Sequence, residues 1–219
     1  GFLEQDAQFR THVEEFNASM LMGANTPYHL RVPRSFPPDG KRFNREEFVE
    51  GVNYTNFVAL QERGVDMRVV LQTLLFFVAD QLNHRMALSD INPGNLRQTP
   101  ENDIAIFDRN LFLHTDEQDA ALFFKLADKE HLVETVVDYI GSQVDAAHAE
   151  QAREIVRNSL ASVATSEISP LQAITRALVE VKRAKIYIPL KVTLLMKNTM
   201  VLNRFAQKAG FRDLFAIFE

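Results

Sequence analysis

The stretch Asp90-Ile91-Asn92-Pro93-Gly94-Asn95, with Ile104-Ala105-Ile106-Phe107-Asp108 a little further on, decides how this chain folds. An Asp with an Asn five positions on, and then a second Asp closing a short apolar run, is the pattern of a phosphoryl-transfer site. In that chemistry the first Asp orients the attacking hydroxyl and accepts its proton. The Asn and the second Asp hold the magnesium ions that neutralise phosphate charge. Asp108 follows Asp90 by 18 positions. The interval accommodates a strand, a turn at Pro100-Glu101-Asn102-Asp103 and a returning strand, which brings both ligand residues to one edge.

Composition narrows the classes. At 219 residues, with 46% hydrophobic and 24% charged residues, the chain can bury a substantial core and is not disordered. A formal net charge of -5 and a pI near 5.7 argue against nucleic acid as a partner. Zero cysteines exclude a disulfide scaffold and thiol metal ligands, and fit a reducing compartment. The longest apolar run, 69–79, is broken by Gln72 and Thr73 and is too short to span a bilayer. The start Gly1-Phe2-Leu3-Glu4-Gln5-Asp6 lacks the basic region and cleavage site of a signal peptide. It also lacks an initiating Met, so the chain is expected to be part of a longer protein. The expected location is intracellular, in cytoplasm or an organellar matrix, with peripheral membrane association compatible.

Periodicity predicts a helix over 5–21, with Phe9, Val13, Phe16 and Met20 on one face. Two extended pieces, 28–36 and 41–49, flank the turn signal Pro37-Pro38-Asp39-Gly40 and form the one hairpin candidate before Gly51. Beyond Gly51 the chain turns helical. A short helix over 55–62 stops at Gly64, and a long buried one opens at Asp66 and runs to about Met86. Past Asp108, Thr115-Asp116-Glu117-Gln118 reads as a capping box. Further helices are expected near 129–140, 146–164, 170–186 and 189–209, the third capped by Ser169 with Pro170 at its first position, the last stopped by Gly210. The expected division is 1–51, a short mixed portion, and 52–219, a helical one. His131 and Glu134, one turn apart, read as surface residues rather than a metal pair. The cations Lys182, Arg183, Lys185, Lys191 and Lys197 read as a solvated helix face.

These residues resemble the UbiB/AarF group of atypical protein-kinase-like proteins. The group's hallmark loop reads Ala-Asp-Pro-His-Pro-Gly-Asn, against Ser89-Asp90-Ile91-Asn92-Pro93-Gly94-Asn95 here. Its metal-binding segment ends Ile-Asp-Phe-Gly, against Phe107-Asp108-Arg109-Asn110. Its hinge reads Glu-Phe-Ile-Glu-Gly-Val, against Glu47-Phe48-Val49-Glu50-Gly51-Val52. The segment through Gly64-Val65-Asp66 and the final helix from Ile188-Pro189-Leu190 also follow the group's pattern.

The resemblance implies a mainly α (α+β) fold: a protein-kinase-like C-terminal lobe, with residues 1–51 a small-lobe remnant made of a helix, a β-hairpin and the hinge. It implies ATP and Mg2+ as cofactors. Asp90 would be the catalytic acid/base, and Asn95 and Asp108 the metal ligands. Glu47, Phe48 and Val49 would contact adenine through backbone groups, and Glu14 would be the partner of the family's small-lobe lysine, with Glu15 a competitor. Expected partners are a nucleotide, an isoprenoid lipid or membrane surface, and other proteins; the resemblance gives the cations Lys182, Arg183, Lys185, Lys191 and Lys197 a second reading as a lipid-headgroup surface. The role implied is that of an ATPase or unorthodox kinase in isoprenoid-quinone or lipid metabolism, carried out by the full-length protein.

Several positions depart from the group. Its nucleotide-covering loop and phosphate-pairing lysine would precede residue 1, so this chain alone is expected to be inactive. Asn92 replaces a His, Ile91 a Pro, and Arg109-Asn110 a Phe-Gly. Arg109 is then either a surface residue or a cation beside the magnesium site. Asn110 takes the place of a glycine that permits positive φ, and Glu46 stands where the group has Met. These departures sustain a second reading, a catalytically inactive module that serves as a protein- or lipid-binding scaffold. A third, a small-molecule phosphotransferase of the aminoglycoside or choline kinase type, shares the Asp-to-Asn spacing but not the hinge or the last helix.

Overall fold

The structure, a computed structural model, describes residues 2–23, 28–36, 45–88, 90–109, 112–126, 131–161 and 170–218. The chain divides into two compact units. Gly1–Asp80 and Asp90–Phe112 form the first, and Gln81–Ser89 with Leu113–Glu219 the second.

In the first unit the amphipathic pattern at the start forms α1 (Phe2–Gly23). Phe9, Val13 and Phe16 are buried as their spacing predicts, while Met20 is half-buried. Phe9 and Phe16 meet Phe77 edge-on, at 5.9 and 5.1 Å between ring centroids, the geometry that aromatic quadrupoles favour. Phe77 belongs to the long buried helix, here numbered α3 (Met67–Asn83), which follows the short α2 (Phe57–Glu62). Asp66 is the cap of α3 rather than its first residue, accepting from the N–H groups of Arg68 and Val69. The helix stops short of the expected Met86 because Arg85 takes a left-handed conformation, φ +58°.

Four short strands make the principal sheet, in the order β1 (Leu30–Arg31), β7 (Ile104–Ile106), β6 (Leu96–Gln98) and β4 (Val52–Asn53). The hairpin expected around residues 100–103 is the β6–β7 pair, in register Leu96↔Ile106, with Asn102 at φ +68° in the turn. β1 joins β7 in parallel, a pairing that periodicity does not reveal. Asn17 of α1 fixes it: its side-chain amide donates to the Leu30 carbonyl at 2.8 Å and accepts from the Leu30 N–H at 2.9 Å. The earlier hairpin forms as expected, pairing β2 (Ser35–Phe36) with β3 (Arg45–Glu46) in antiparallel register. Its turn at Pro37-Pro38-Asp39-Gly40 lies outside the described residues. Beyond β3, Gly51 passes so close to β6 that a Cβ would collide with the Gln98 carbonyl oxygen.

The second unit is helical, with one small sheet pairing β5 (Met86–Leu88) and β8 (Phe112–His114). Its helices are α4 (Glu117–Lys125), α5 (Leu132–Gln143), α6 (Ala149–Ala161), α7 (Pro170–Arg183) and α8 (Leu190–Lys208). Val136, Val137, Val156, Ala177, Val181 and Val192 meet in its core. The capping box is set one residue later than the sequence suggested. Asp116, not Thr115, is the N-cap, and Asp119 returns the bond from position N3. Lys191 then bonds both carboxylates, at 2.6 and 3.1 Å, while the Tyr139 hydroxyl donates to Asp119 at 2.5 Å. Lys191 is therefore a tie between α8 and α4, not part of a solvated face. Ser169 lies outside the described residues. Among the described residues no helix is long and apolar enough to cross a membrane.

Candidate active site

Asp90, Asn95 and Asp108 all lie in the first unit, and the β6–β7 ladder sets their relation. The register Leu96↔Ile106 continues one step beyond the strands, where the Phe107 N–H donates to the Asn95 carbonyl at 2.8 Å. Asn95 and Asp108 are thereby held at one end of a two-stranded ladder, as the 18-residue interval predicts.

The loop that carries Asp90 and Asn95 is built from local bonds. Asn92 caps a 3₁₀ turn over Pro93–Asn95, its side-chain oxygen accepting from the Gly94 N–H at 2.9 Å and its carbonyl from the Asn95 N–H at 2.7 Å. Asn53 of β4 clamps the same turn through a 2.8 Å bond to the Gly94 carbonyl. Ile91 is buried and anchors the loop, while Asp90 and Asn95 stay half-buried. The two departures in this loop thus have structural work: one fills an apolar space, the other shapes the turn that presents Asn95.

Asp108 is exposed and sits at φ +52°, a left-handed conformation that non-glycine residues adopt sparingly and that recurs at functional positions. The sequence suggested positive φ at Asn110, which lies outside the described residues.

Arg109 corrects both alternatives drawn from the sequence. It is neither a surface residue nor a cation in the metal site, for its side chain is fully buried and bonds elsewhere. Its guanidinium reaches one oxygen of Asp6 at 2.8 and 3.2 Å, Glu46 at 3.1 Å, and the carbonyls of Ile106 and Pro33 at 2.6 and 3.1 Å. Arg10 holds the other Asp6 oxygen at 2.8 Å. Burial raises the Asp6 carboxyl, but the bonds from Arg109 and Arg10 outweigh it and leave the group below its ordinary value. Glu46, anomalous as a hinge-strand residue, has its reason in this pair.

Glu47, Phe48 and Val49, expected from the resemblance to form a hinge, follow β3. The Glu47 N–H continues the β2–β3 ladder by donating to the Arg34 carbonyl at 2.7 Å. The Glu47 carboxylate accepts from the Arg34 N–H and from Arg31, which together hold it below its usual range. Arg97 of β6 donates to the Val49 carbonyl at 2.9 Å. Its guanidinium lies 5.8 Å from the Phe48 ring and 5.3 Å from the Phe107 ring, within cation–π range of both. One side chain thus joins Phe48 and Val49 to the residue before Asp108. Among the described residues, neither the Glu47 carbonyl nor the Val49 N–H makes a backbone hydrogen bond. Phe48 is 82% exposed, so its ring is held by the arginine rather than by a core.

Glu14 and Glu15 lie on the exposed face of α1, and among the described residues Glu14 forms no ion pair. The inward face of that helix presents Asp6 and the aromatic residues instead. Sequence reasoning missed Arg97, Asn53 and Asp6. An Asn before Pro-Gly signals an Asx turn and could have revealed the role of Asn92, whereas nothing local marks Asp6 as the partner of Arg109.

Comparison with curated proteins returned no match. The family model of the ABC1 atypical kinase-like domain matches residues 8–135, more than half of the chain, and includes Glu14, the hinge, the Asp90 loop and Asp108. The mainly helical architecture with small sheets agrees with a kinase-like lobe. The chain belongs to the family of ABC1 atypical kinase-like domains, the UbiB/AarF type that its motifs resemble.

Proposed function

We propose that the full-length protein is a Mg-ATP-dependent atypical kinase or ATPase acting in isoprenoid-quinone or lipid metabolism, with this chain supplying its large lobe. The observation that supports the proposal is the ladder register that sets Asn95 opposite Phe107, the residue before Asp108, while the Arg109 side chain bonds Asp6. A side-chain amide oxygen and a carboxylate are hard oxygen donors, the kind Mg2+ takes when nucleotide phosphates complete its shell. Asn95 and Asp108 would hold the ion, whose charge neutralises phosphate oxygens. With Arg109 committed to Asp6, no cation from that position competes for Asp108.

Asp90 would orient the acceptor hydroxyl and take its proton, held in place by the Asn92-capped turn. The Glu47 carbonyl and the Val49 N–H are the backbone groups suited to an adenine edge, and Arg97 keeps them in register with Phe107. Glu14 would meet a small-lobe lysine. The isoprenoid-lipid context and the intracellular location rest on the family resemblance alone.

Turnover tests this directly. The full-length protein is expected to hydrolyse ATP only with Mg2+. Asp90→Asn should lower kcat by roughly 10²-fold or more with little change in nucleotide affinity. Asp108→Ala should abolish turnover. Turnover that is the same in all three proteins would contradict the assignment.

A further inference from the structure

Far from the Asp90 loop in sequence, α7, α8 and the segment joining them enclose a groove of about 900 Å3 within the second unit. Its floor is apolar, with Leu178, Ile186, Met196 and Met200 among the lining side chains. Four cations also line it: Lys182, Lys185, Lys197 and Arg204. Among the described residues no Asp or Glu does. That concentration stands out in a chain of formal net charge -5. Two basic residues of this region outside the groove are neutralised, Lys191 by Asp116 and Asp119, and Arg183 by Glu180. Lys182, Lys185 and Arg204 form no ion pair among the described residues.

The end of α7 adds a second observation. The Ile186 N–H donates to the Val181 carbonyl and the Lys185 N–H to the Lys182 carbonyl, the paired bonds of a Schellman stop. Lys185 takes the left-handed position of that motif, at φ +61°. Glycine fills the equivalent positions after α2 and α8, as Gly64 and Gly210. A lysine thus stands, against backbone preference, among the residues that line the groove. Beside it Tyr187 and Leu190 are 74% and 61% exposed, which leaves apolar surface next to cationic head groups.

We propose that this groove binds a single-chain amphiphile with an anionic head, its head at Lys182 and Lys185 and its hydrocarbon chain running along Leu178, Met196 and Met200. The volume falls in the range of about 300–1,000 Å3 typical of sites for one small molecule. A concave surface suits a single chain, whereas adsorption to a flat bilayer would need a convex apolar face. The charge requires an anion, and an apolar floor beneath cations matches the two ends of such a molecule. The site does not depend on the nucleotide reading of the first unit.

Calorimetric titration of the full-length protein with oleyl phosphate, below its aggregation concentration, tests the proposal, with oleyl alcohol as the uncharged control. The expected result is one molecule bound per chain, with the alcohol binding at least roughly tenfold more weakly and the phosphate losing affinity as salt rises. Lys185→Gly should weaken oleyl phosphate binding several-fold while leaving the melting temperature unchanged or higher, because it relieves the left-handed lysine. A Lys182→Glu variant should weaken it by roughly tenfold or more. Equal affinity for phosphate and alcohol would overturn the proposal, as would indifference to both variants. Binding seen only with vesicles of 1:3 phosphatidylglycerol and phosphatidylcholine would overturn it in favour of a membrane surface.

Discussion

Arg109 spans 103 positions of sequence to place Nη2 2.8 Å and Nε 3.2 Å from the same carboxylate oxygen of Asp6, with both side chains buried. This pair fastens the first helix to the segment that follows Asp108. It also keeps the arginine that follows Asp108 away from the proposed magnesium site. Removing one member of a buried pair leaves an uncompensated charge, at a cost of about 3–5 kcal/mol. Asp6→Ala is therefore expected to lower unfolding free energy by about that amount in urea titration. Asp6→Leu combined with Arg109→Met should cost less than the two single changes summed. Strict additivity would show that the pair is not coupled.

The same pair predicts an acid response. The folded Asp6 carboxyl lies below its ordinary value of 3.8, so its contribution to stability is present above that pH. It is lost as pH falls below 3.8 toward the folded value. Urea unfolding followed from about pH 5 to about pH 2 should show wild type losing stability more steeply than Asp6→Asn. Parallel curves would contradict the depressed carboxyl.

Phe77 is fully buried and meets the rings of Phe9 and Phe16. Phe77→Ala should cost about 3–5 kcal/mol, because three packed rings cannot collapse into the space left by one. Phe77→Leu should recover most of this. A cost under 1 kcal/mol for the alanine variant would show that α1 does not depend on this contact.

Arg97 contacts the Val49 carbonyl and the rings of Phe48 and Phe107. Arg97→Lys keeps the charge but loses the planar stack, so nucleotide affinity should fall several-fold while the melting temperature moves by only a few degrees. An unchanged dissociation constant would remove Arg97 from the hinge account.

How much of this was legible in the sequence follows from the range of each interaction. The helix of Phe9, Val13 and Phe16, the hairpin of β6 and β7 and the stop at Gly64 are local, written in periodicity and turn chemistry. So is the Asp90 loop, whose residue order carries the family. The end of α3 was misplaced because Arg85, not glycine, makes the left-handed turn. The cap of α4 slipped by one because Thr115 and Asp116 are both good caps, and only the reciprocal bond from Asp119 chooses between them. The parallel β1–β7 pairing and the Asp6–Arg109 pair depend on contacts across more than 70 residues, which no window of sequence records. From sequence alone Arg109 therefore reads as a surface or metal-site residue, although its partner Asp6 lies in the first turns of the chain.

Asn95 and Asp108 are proposed to form a magnesium-nucleotide site. Calorimetric titration of the full-length protein with Mg-ATP, beside Asp108→Ala, tests it most directly. Saturable binding by the wild type, lost on removal of Mg2+ and weakened by at least roughly tenfold in the variant, is the expected result. Binding absent from the wild type, or identical in the two proteins, would contradict it.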